Sequence, residues 1–483
     1  MVFTSLEFAV FFGVVLVLNW RLKNNAAVYP PFLLAANLIF YGLGAPKFVP
    51  LLLLVALLNW YATVLLYREH RPARRKLYIA LDVAICVGIL FFFKYFEFGL
   101  GLLESLGAAD GILARFRLPE IIYPIGLSFF TFQGLALAID HYRDPTSEPP
   151  DLLSALIFVS FFPTVLSGPI QRADKFIPQL ASMKYDPESF NLAVVLILSG
   201  LFKKVTLSSY VSEHIVRQVF QVPEAFSTMA VWAGIYGYGA QIYLDFSGYS
   251  DLALGIGLLL GYNVGVNFNS PYLATNIREF WHRWHISLST WLRDYLYIPL
   301  GGNRRGSKSV NLFLTQLLGG LWHGAHLRYV IWGAAHGLAL MFSHLLADRR
   351  KAGQEALDEN LKPWKRAEPR FMPGRKFLGF FLTFNFVSLC WILFRAEDAS
   401  RALEIVRAAF DFGRPGEGAP LLVWLVIMLT LLMQLVGGEV REMFLRVHNR
   451  LSGPVLALWC AFWVVLILKL GPEGVLPFIY FQY

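Results

Sequence analysis

The sequence predicts an all-α protein that crosses a membrane many times, and three observations support this prediction. Of its 483 residues, 56% are hydrophobic and only 16% are charged, which is too few charges to cover the surface of a soluble protein of this length. Aromatic residues make up 16% of the chain, which suits contact with lipid and with the membrane interface. Apolar runs that approach the roughly 20 residues of a spanning helix recur along the whole sequence.

These runs predict roughly 11–13 membrane-embedded helices, of which some of the shorter ones are expected to be re-entrant. The candidate segments are 6–20, 28–44, 48–67, 77–94, 121–139, 151–168, 190–208, 226–243, 248–265, 311–345 (long enough for two), 376–395, 420–437 and 455–471. We expect a single membrane domain, divided into N-terminal helices over about 1–120, a functional core over about 121–345, a cytoplasmic loop over 346–375 and C-terminal helices over 376–483.

Basic residues outnumber acidic ones, and the net charge of +9 comes largely from clusters between apolar runs. These clusters lie at 68–76, 203–204, 304–308, 349–351 and 362–376. The preference of basic loops for the cytoplasmic side explains them without a nucleic-acid partner, although some could also meet the phosphates of a soluble cofactor. Two spans connect the basic residues at 21–23 to the cluster at 68–76, so both lie inside and the acidic N-terminus lies outside.

Neither the N-terminus nor the cysteines indicate a processed or disulfide-linked protein. The first seven residues lack a basic region, and no small-residue cleavage site follows the first apolar run, which favours a retained span over a signal peptide. Cys86, Cys390 and Cys460 lie inside apolar runs without metal-type spacing, so we expect small buried side chains.

Segment 269–310 interrupts the pattern of apolar spans. Asn269-Ser270-Pro271 is turn-like, and residues 279–293 mix Trp, His, Arg and Ser on a helical period. This stretch is too polar to face lipid and too aromatic for a plain loop, which predicts an amphipathic or half-inserted helix that lines a polar cavity. Residues 301–306 then form a basic, glycine-rich turn.

Two histidines, His285 and His323, each follow a tryptophan and lie in or beside apolar segments. Imidazole takes up and returns protons near neutral pH, and ionisable groups at membrane depth indicate a functional site by default. Their separation in sequence places them on different helices that could face each other. A structural hydrogen bond would explain either histidine alone, but the pair, with Trp322 and the glycine after His323, favours chemistry.

Two further histidines are weaker candidates for the same cavity. His282 and His285 are three residues apart and would share a helix face, but no His-Glu-x-x-His motif and no suitable carboxylates complete a zinc site. We therefore expect no metal. His336 falls roughly three to four helical turns after His323, where it either lines the cavity or packs in the core.

Residues 241–251 put two carboxylates and several hydroxyl groups into an apolar run. The polar positions there include Asp245, Ser247, Tyr249 and Asp251. Such groups must face protein or water rather than lipid. Two interpretations are open: a cavity wall or proton relay, and a buried polar network that fixes helix packing.

Several of these segments together resemble the membrane-bound O-acyltransferase family, and most closely its bacterial branch of AlgI-like alginate O-acetyltransferases. The resemblance is carried by Tyr-Leu-Asp-Phe-Ser-Gly-Tyr-Ser-Asp at 243–251, Asn-Ser-Pro-Tyr at 269–272, the run from Phe-Trp-His-Arg-Trp-His at 280–285 through residue 303, and Leu-Trp-His-Gly-Ala at 321–325. It extends through most of the chain and is strongest over 160–345. It implies an all-helical fold around a membrane-buried catalytic channel that opens toward both sides.

The resemblance also implies roles for individual residues. The invariant histidine of the family would fall on His323, and its second signature position, Asn or His, on His285. Position 282 is commonly arginine in this branch, so His282 is a departure, which bears on contacts with the donor or a partner more than on the central chemistry. Members of the family take an acyl group from cytoplasmic acyl-CoA, and bacterial members often pass it to an extracytoplasmic partner that modifies a polysaccharide.

The expected function is that of an O-acyltransferase of the bacterial inner membrane. It would move an acetyl group from acetyl-CoA for O-acetylation of an exopolysaccharide such as alginate, directly or through a periplasmic SGNH-type acetyltransferase, without a permanently bound cofactor. His323 would act as general base, and His285 would hold the acceptor or the thioester carbonyl, for example as an oxyanion donor. Guanidinium groups suit the phosphates of CoA, and the candidates are Arg283, Arg293, Arg304 and Arg305.

Two other classes of function stay open at this point. A transporter or channel for an acyl donor or a polysaccharide would line its pathway with the same polar residues, and it would need a sealed bilayer and a gradient. An enzyme would transfer or hydrolyse the thioester in detergent. An interaction scaffold of a secretion complex would tolerate substitution of both histidines.

Overall fold

The computed structural model describes residues 1–105, 121–182, 184–348 and 374–471. Within these ranges the regular structure is helical, and a single isolated bridge between Phe226 and Glu417 is the one β-type pairing. The all-α prediction is therefore confirmed. Most of the predicted cytoplasmic loop, residues 349–373, lies outside the described ranges.

Six helices of the described ranges are long and apolar enough to cross a membrane. They are Pro46–Arg68, Pro72–Phe96, Pro187–Gln221, Lys376–Arg395, Leu421–His448 and Gly453–Leu470. Only 6% of the most apolar window of Gly453–Leu470 is buried inside the protein, so this helix presents its leucines and valines outward, as a helix in lipid does. The chain is a multi-pass membrane protein.

The described chain divides into two compact units, of which the first comprises Met1–Tyr185 and Gly257–Val264. Its helices are α1 (Leu6–Leu22), α2 (Tyr29–Gly44), α3 (Val49–Arg68), α4 (Pro72–Ser105), α5 (Leu127–Arg143), α6 (Leu152–Ser160) and α7 (Ala173–Ser182). Arg75 ties α4 to the end of α5, because its guanidinium donates hydrogen bonds to the carbonyl oxygens of His141 and Tyr142 at 3.0 and 2.9 Å. A buried charge is thus satisfied by backbone acceptors.

The predicted span at 151–168 is wrong in length, because only Leu152–Ser160 is helical and turns follow. Just after the helix ends, the backbone N–H of Phe162 donates to a side chain instead of to a helical carbonyl oxygen. Its acceptor is Oδ1 of Asn37, at 3.0 Å. Backbone N–H groups outside a helix need such partners when they are buried.

The second unit comprises Asp186–Ile256 and Gly265–Tyr483. Its helices are α8 (Pro187–Leu201), α9 (Ser209–Val211), α10 (Arg217–Gln221), α11 (Thr228–Leu260, whose last turn belongs to the first unit), α12 (Ile277–Arg283), α13 (Ile286–Leu292), α14 (Lys308–His323), α15 (Leu327–Asp348), α16 (Arg375–Arg395), α17 (Ala399–Phe410), α18 (Leu421–His448) and α19 (Gly453–Leu470). Two π-helical segments, Phe202–Ser208 and Ser212–Val216, join α8, α9 and α10 into one continuous helix. Such π turns occur frequently at functional sites.

The two spans predicted at 226–243 and 248–265 are wrong, because residues 228–260 form one helix, α11. Gly248, which lies within this helix, faces Gly200 of α8. A Cβ atom at Gly248 would lie 2.8 Å from the carbonyl oxygen of Gly200. The absence of side chains at both positions therefore lets α8 and α11 approach closely.

Candidate active site

The polar helix predicted over 279–293 consists of two short helices with a break between them. α12 ends at Arg283, Trp284 is extended, and His285 adopts a left-handed conformation with φ 44° and ψ 55° before α13 begins. His282 and His285 therefore do not share a helix face, and that prediction is wrong. The two histidines differ in environment as well, since His282 is exposed and His285 is only 1% exposed.

Asn267 holds the turn at His285 with both its side chain and its backbone. Its Oδ1 lies 3.2 Å from Nδ1 of His285 and accepts hydrogen bonds from N and Oγ of Ser287 at 3.1 and 3.0 Å. Its carbonyl oxygen accepts from N of Ile286 at 3.0 Å, and its Nδ2 donates to Oγ of Ser250 at 3.5 Å. A residue in a sparsely populated backbone region costs about 1–3 kcal/mol and persists only where its surroundings hold it.

The indole ring of Trp322 contacts both of the histidines that the sequence singled out. Its ring centroid lies 6.4 Å from that of His285 and 4.9 Å from that of His323. Phe246 of α11 packs edge-on against His285 from another side, at 4.7 Å and an interplanar angle of 85°. The structure thus brings His285 and His323 into one aromatic cluster, with Trp322 in contact with each.

His323 is the last residue of α14 and is partly exposed. Its ring packs against Trp332 at 5.1 Å and Phe394 at 4.9 Å, which come from α15 and α16. α14 and α15 form a tight antiparallel pair, in which a Cβ at Gly320 would lie 2.9 Å from Cα of Gly333. The prediction of two helices within 311–345 is confirmed. Their close packing fixes the position of His323 at the end of α14.

His336 of α15 is fully buried in the same cluster. Its nearest rings belong to Phe280, Trp281, Trp332 and Phe386, with centroid distances from 4.6 Å for Trp332 to 6.4 Å for Phe280. Neither of its ring nitrogens has a hydrogen-bond partner within the described ranges. Trp332 contacts both His336 and His323, so His336 packs behind the candidate catalytic histidine.

The carboxylates predicted as polar support are paired with lysines from the π-helical segment. Nζ of Lys203 lies 2.6 Å from Oδ2 of Asp251 and donates to Oγ of Ser247 at 3.2 Å, and Lys204 forms an ion pair with Asp245. The prediction that residues 203–204 belong to a cytoplasmic basic cluster is wrong, because both side chains are buried inside the helical unit. The attraction between each lysine and its aspartate offsets the free-energy cost of burying these charges away from water.

Tyr249 lies on the same turns of α11 and is also buried. The two ion pairs and the hydrogen bond from Lys203 to Ser247 form a buried polar network along this part of α11, which is the second of the two interpretations that the sequence left open. Phe246 and Ser250, which are four residues apart on α11, have other partners. Phe246 packs on His285, and Oγ of Ser250 accepts a hydrogen bond from Asn267. The network therefore anchors the helix that supports His285.

Three of the four arginines proposed for phosphate binding line one cavity of about 570 Å³. Its lining residues are Arg293, Tyr297, Ile298, Pro299, Gly301, Gly302, Asn303, Arg304 and Arg305. Arg283 is not among them: its Nη2 lies 2.7 Å from Oε1 of Glu279, one turn earlier on α12. Arg304 and Arg305 are exposed, whereas Arg293 also forms an ion pair with Asp294 at 2.7 Å.

Sequence reasoning missed Asn267 and the pairing of Lys203 and Lys204. The lysines could have been found, because two carboxylates in an apolar run require positive partners. Asn267 had no such signal, since its bond to His285 joins positions 18 residues apart across an irregular segment.

Comparison with known proteins adds independent information about this site. The model of the membrane-bound O-acyltransferase family matches residues 126–351, a range that includes both candidate histidines and all four arginines. A probable alginate O-acetylase AlgI of Pseudomonas putida is 37% identical over 420 residues, which cover 85% of this chain and 80% of that protein. The corresponding protein of Pseudomonas aeruginosa is also 37% identical, over 85% of this chain and 74% of its own length.

Relatives that are named for other polymers are also similar to this chain. The peptidoglycan O-acetyltransferase of Helicobacter pylori is 34% identical over 408 residues, which cover 78% of this chain and 72% of that protein. A teichoic acid D-alanyltransferase of Streptococcus thermophilus matches at 30% identity over 56% of this chain. The similarity thus extends across proteins that differ in the polymer they are named for.

Proposed function

This chain belongs to the membrane-bound O-acyltransferase family, in its AlgI-like branch, and from that premise we propose that it O-acetylates an exopolysaccharide such as alginate. The acetyl group comes from cytoplasmic acetyl-CoA and reaches the polymer directly or through an SGNH-type acetyltransferase in the periplasm. The protein is an acyltransferase of the membrane, and we assign it to the bacterial inner membrane, with the bilayer as its environment and without a nucleic-acid partner. The observation that carries the proposal is the 37% identity to alginate O-acetylases over 85% of the chain.

In the proposed reaction His323 acts as the general base. Its ring takes the proton of an acceptor hydroxyl as that oxygen forms a bond with the thioester carbon of acetyl-CoA. The carbon–sulfur bond then breaks, and the leaving thiolate receives the proton back from the imidazolium, so CoA leaves as the thiol. The partly exposed position of His323 at the end of α14 supports this role, because a base must reach the hydroxyl.

Trp322 and the rings around His323 would keep the reacting thioester away from bulk water. The ring contacts at 4.9–5.1 Å leave an apolar lining on the faces of His323 that they cover. Exclusion of water limits hydrolysis of the thioester, which is the side reaction that competes with transfer. His285, which also contacts Trp322, would orient one of the two substrates.

The arginine cavity is suited to the phosphates of acetyl-CoA. α13 begins just after His285, and Arg293 follows its last residue, so α13 spans about 12 Å between the histidine and the cavity. A donor with its phosphates at Arg293, Arg304 and Arg305 could extend its arm along α13 toward the histidines. Guanidinium groups bind phosphate oxygens with two parallel hydrogen bonds, and their charge supports binding.

The experiment that tests this function uses purified protein in detergent with labelled acetyl-CoA and candidate acceptors. We expect wild-type protein to transfer label and the variant His323→Ala to lose about 10²–10⁴-fold in rate while it remains folded. His214→Ala is the matched control, because His214 is exposed on the helix Pro187–Gln221 and its ring stacks on Tyr210 of the same helix. Full activity of His323→Ala would refute the assignment, and transfer without a sealed bilayer would exclude a pure transporter.

A further inference from the structure

We infer that Asn267 is a positioning residue, which fixes the tautomer of His285 so that this histidine accepts a hydrogen bond from an N–H or O–H group of a substrate. The inference rests on the proposed acetyl transfer and changes the expected role of His285. A neutral ring in this tautomer cannot donate to the thioester oxygen from Nε2, so His285 is not an oxyanion donor.

The first step is the orientation of the Asn267 amide. The backbone N of Ser287 lies 3.1 Å from the atom assigned as Oδ1, and a backbone N–H group can only donate. The atom that faces Ser287 must therefore be the oxygen. The amide nitrogen then faces Oγ of Ser250 at 3.5 Å, and that hydroxyl group is able to accept.

The second step is the tautomer of His285. Nδ1 lies 3.2 Å from the same Oδ1, which has no hydrogen to give. A hydrogen bond between them requires the proton to be on Nδ1, and in a neutral ring Nε2 then carries the lone pair. A partner at one ring nitrogen commonly sets the chemistry of the other in this way.

The third step is the rigidity of the arrangement. Asn267 also accepts the backbone N–H of Ile286, so it holds the residues on both sides of the bond that positions the ring. His285 is confined further by Phe246 and by its own left-handed backbone. The ring therefore cannot exchange its two nitrogens without breaking the turn, and Nε2 keeps a fixed direction. In the proposed complex Trp322, whose ring contacts both His285 and His323, turns aside to let a substrate group reach this buried atom.

Two sources could supply the donor hydrogen. One is an amide N–H of the pantetheine arm of acetyl-CoA, which the arginine cavity would align along α13. The other is a hydroxyl group of the acceptor next to the one that attacks, because the attacking hydroxyl gives its single proton to His323. Both use the same chemistry at Nε2, and the Michaelis constants for the two substrates distinguish them.

Several charged groups on the surrounding elements are paired with one another, whereas Arg278 and His282 on α12 are exposed. Lys203 and Lys204 pair with Asp251 and Asp245 beside α11, and Arg283 pairs with Glu279 on α12. His323 on α14 is a titratable group in contact with Trp322, and Arg293 and Asp294 pair after the end of α13. The Asn267 amide itself is neutral, so a carboxylate placed at position 267 would add a new charge beside the ring.

The test measures kcat and KM for acetyl-CoA and for the acceptor in Asn267→Leu and Asn267→Asp. In Asn267→Leu the ring is free to move its proton to Nε2, and we expect the KM of one substrate to rise about three- to tenfold with kcat nearly unchanged. A rise for acetyl-CoA identifies the pantetheine amide, and a rise for the acceptor identifies the second hydroxyl. A fall in kcat with both KM values unchanged would overturn the inference in favour of an oxyanion donor, and unchanged values of all three would overturn it as well.

Asn267→Asp keeps the acceptor oxygen and provides a pH-dependent readout if the leucine variant does not fold. Its carboxylate stabilises the protonated ring, which cannot accept a hydrogen bond. We therefore expect a raised KM at low pH that returns toward the wild-type value as the pH rises. Asn269→Asp, two positions along the same segment, is the matched control and should leave the pH profile in place. An unshifted profile in Asn267→Asp would contradict the inference, whereas a wild-type protein without any transfer would refute the proposed function instead.

Discussion

Lys204 and Asp245 form a buried ion pair between a π-helical turn and α11, and Asp245 directly precedes Phe246, the aromatic residue that supports His285. The neighbouring pair of Lys203 and Asp251 repeats this arrangement on the same two elements. Two adjacent lysines can both face α11 because a π-helical segment changes the angular spacing of successive residues. The ion pairs therefore set the position of α11 against α8, and through α11 the position of His285.

Removing one partner of the Lys204–Asp245 pair should be strongly destabilising. Asp245→Asn leaves the lysine charge buried without its counter-ion, which typically costs about 3–5 kcal/mol. We expect a lower thermal unfolding temperature in detergent and reduced acetyl transfer. The measurement is the unfolding transition of purified variants followed by a thermal-shift dye.

Glu213→Gln is the control for this effect, since it breaks an ion pair of the same long helix at the surface. Arg217 and Glu213 are one turn apart and partly exposed, and such pairs contribute about 0.3–0.5 kcal/mol. The two substitutions should therefore differ by a wide margin. Equal effects would show that the Lys204–Asp245 pair does not hold the helices together.

Because Gly200 and Gly248 approach each other closely, we expect that neither can be replaced by a residue with a side chain without loss of stability. In Gly248→Ala the new methyl group would lie 2.8 Å from the carbonyl oxygen of Gly200, so α8 and α11 must move apart. Overpacking of this kind costs about 1–3 kcal/mol and would also lengthen the lysine–aspartate pairs. We expect lower thermal stability and lower transfer. Gly88→Ala in α4 is the control, because nothing lies within 4 Å of the new Cβ atom there, and it should match the wild type.

Many helices of this protein were predictable from sequence because a long apolar run has few alternatives to a helix in a bilayer. The pair α14 and α15 and the helices α16, α18 and α19 are examples. The break at Trp284–His285 was not predictable, since the local sequence has a helical period and the break depends on Asn267, 18 positions earlier. The continuity of α11 was equally hidden, because polar residues interrupt its apolar run and their partners, Lys203 and Lys204, come from another helix.

The candidate site also has features that were predictable from sequence and features that were not. His285, His323 and the arginine-rich turn were identified from residue types alone, because ionisable groups are rare beside apolar spans. The sequence could not show that Arg283 is paired with Glu279 while the later arginines share a cavity. Whether an arginine is paired or lines the cavity depends on the direction in which its side chain projects, and residue type alone does not give that direction.

This difference between the arginines leads to a prediction for donor binding. The double variant Arg304→Ala and Arg305→Ala should raise the KM for acetyl-CoA by about tenfold or more for each arginine–phosphate hydrogen bond that it removes, because charge-assisted hydrogen bonds contribute about 1.5–3 kcal/mol. The measurement is initial-rate kinetics with labelled acetyl-CoA at constant ionic strength. Arg217→Ala removes an exposed arginine far from the cavity in sequence and should leave this KM unchanged.

Arg283→Ala provides a second comparison within the same site. Its guanidinium is engaged by Glu279 and by the carbonyl oxygen of Asn269, so we expect little change in the KM for acetyl-CoA. An equal rise in KM for Arg283→Ala and for the cavity variant would contradict the assignment of the cavity to the donor phosphates.

The buried histidines His336 and His141 should respond in different ways to replacement by phenylalanine. His141 Nδ1 lies 2.8 Å from the carbonyl oxygen of Leu137 and its Nε2 lies 3.2 Å from that of Glu148, so the one N–H group of a neutral ring donates to one of these oxygens, and His141→Phe removes that hydrogen bond at about 0.5–1.5 kcal/mol. His336 has no hydrogen-bond partner among the described residues and is enclosed by aromatic rings. His336→Phe should therefore lose less stability than His141→Phe in thermal unfolding. A larger loss for His336→Phe would mean that its imidazole nitrogens make an essential contact in the folded protein.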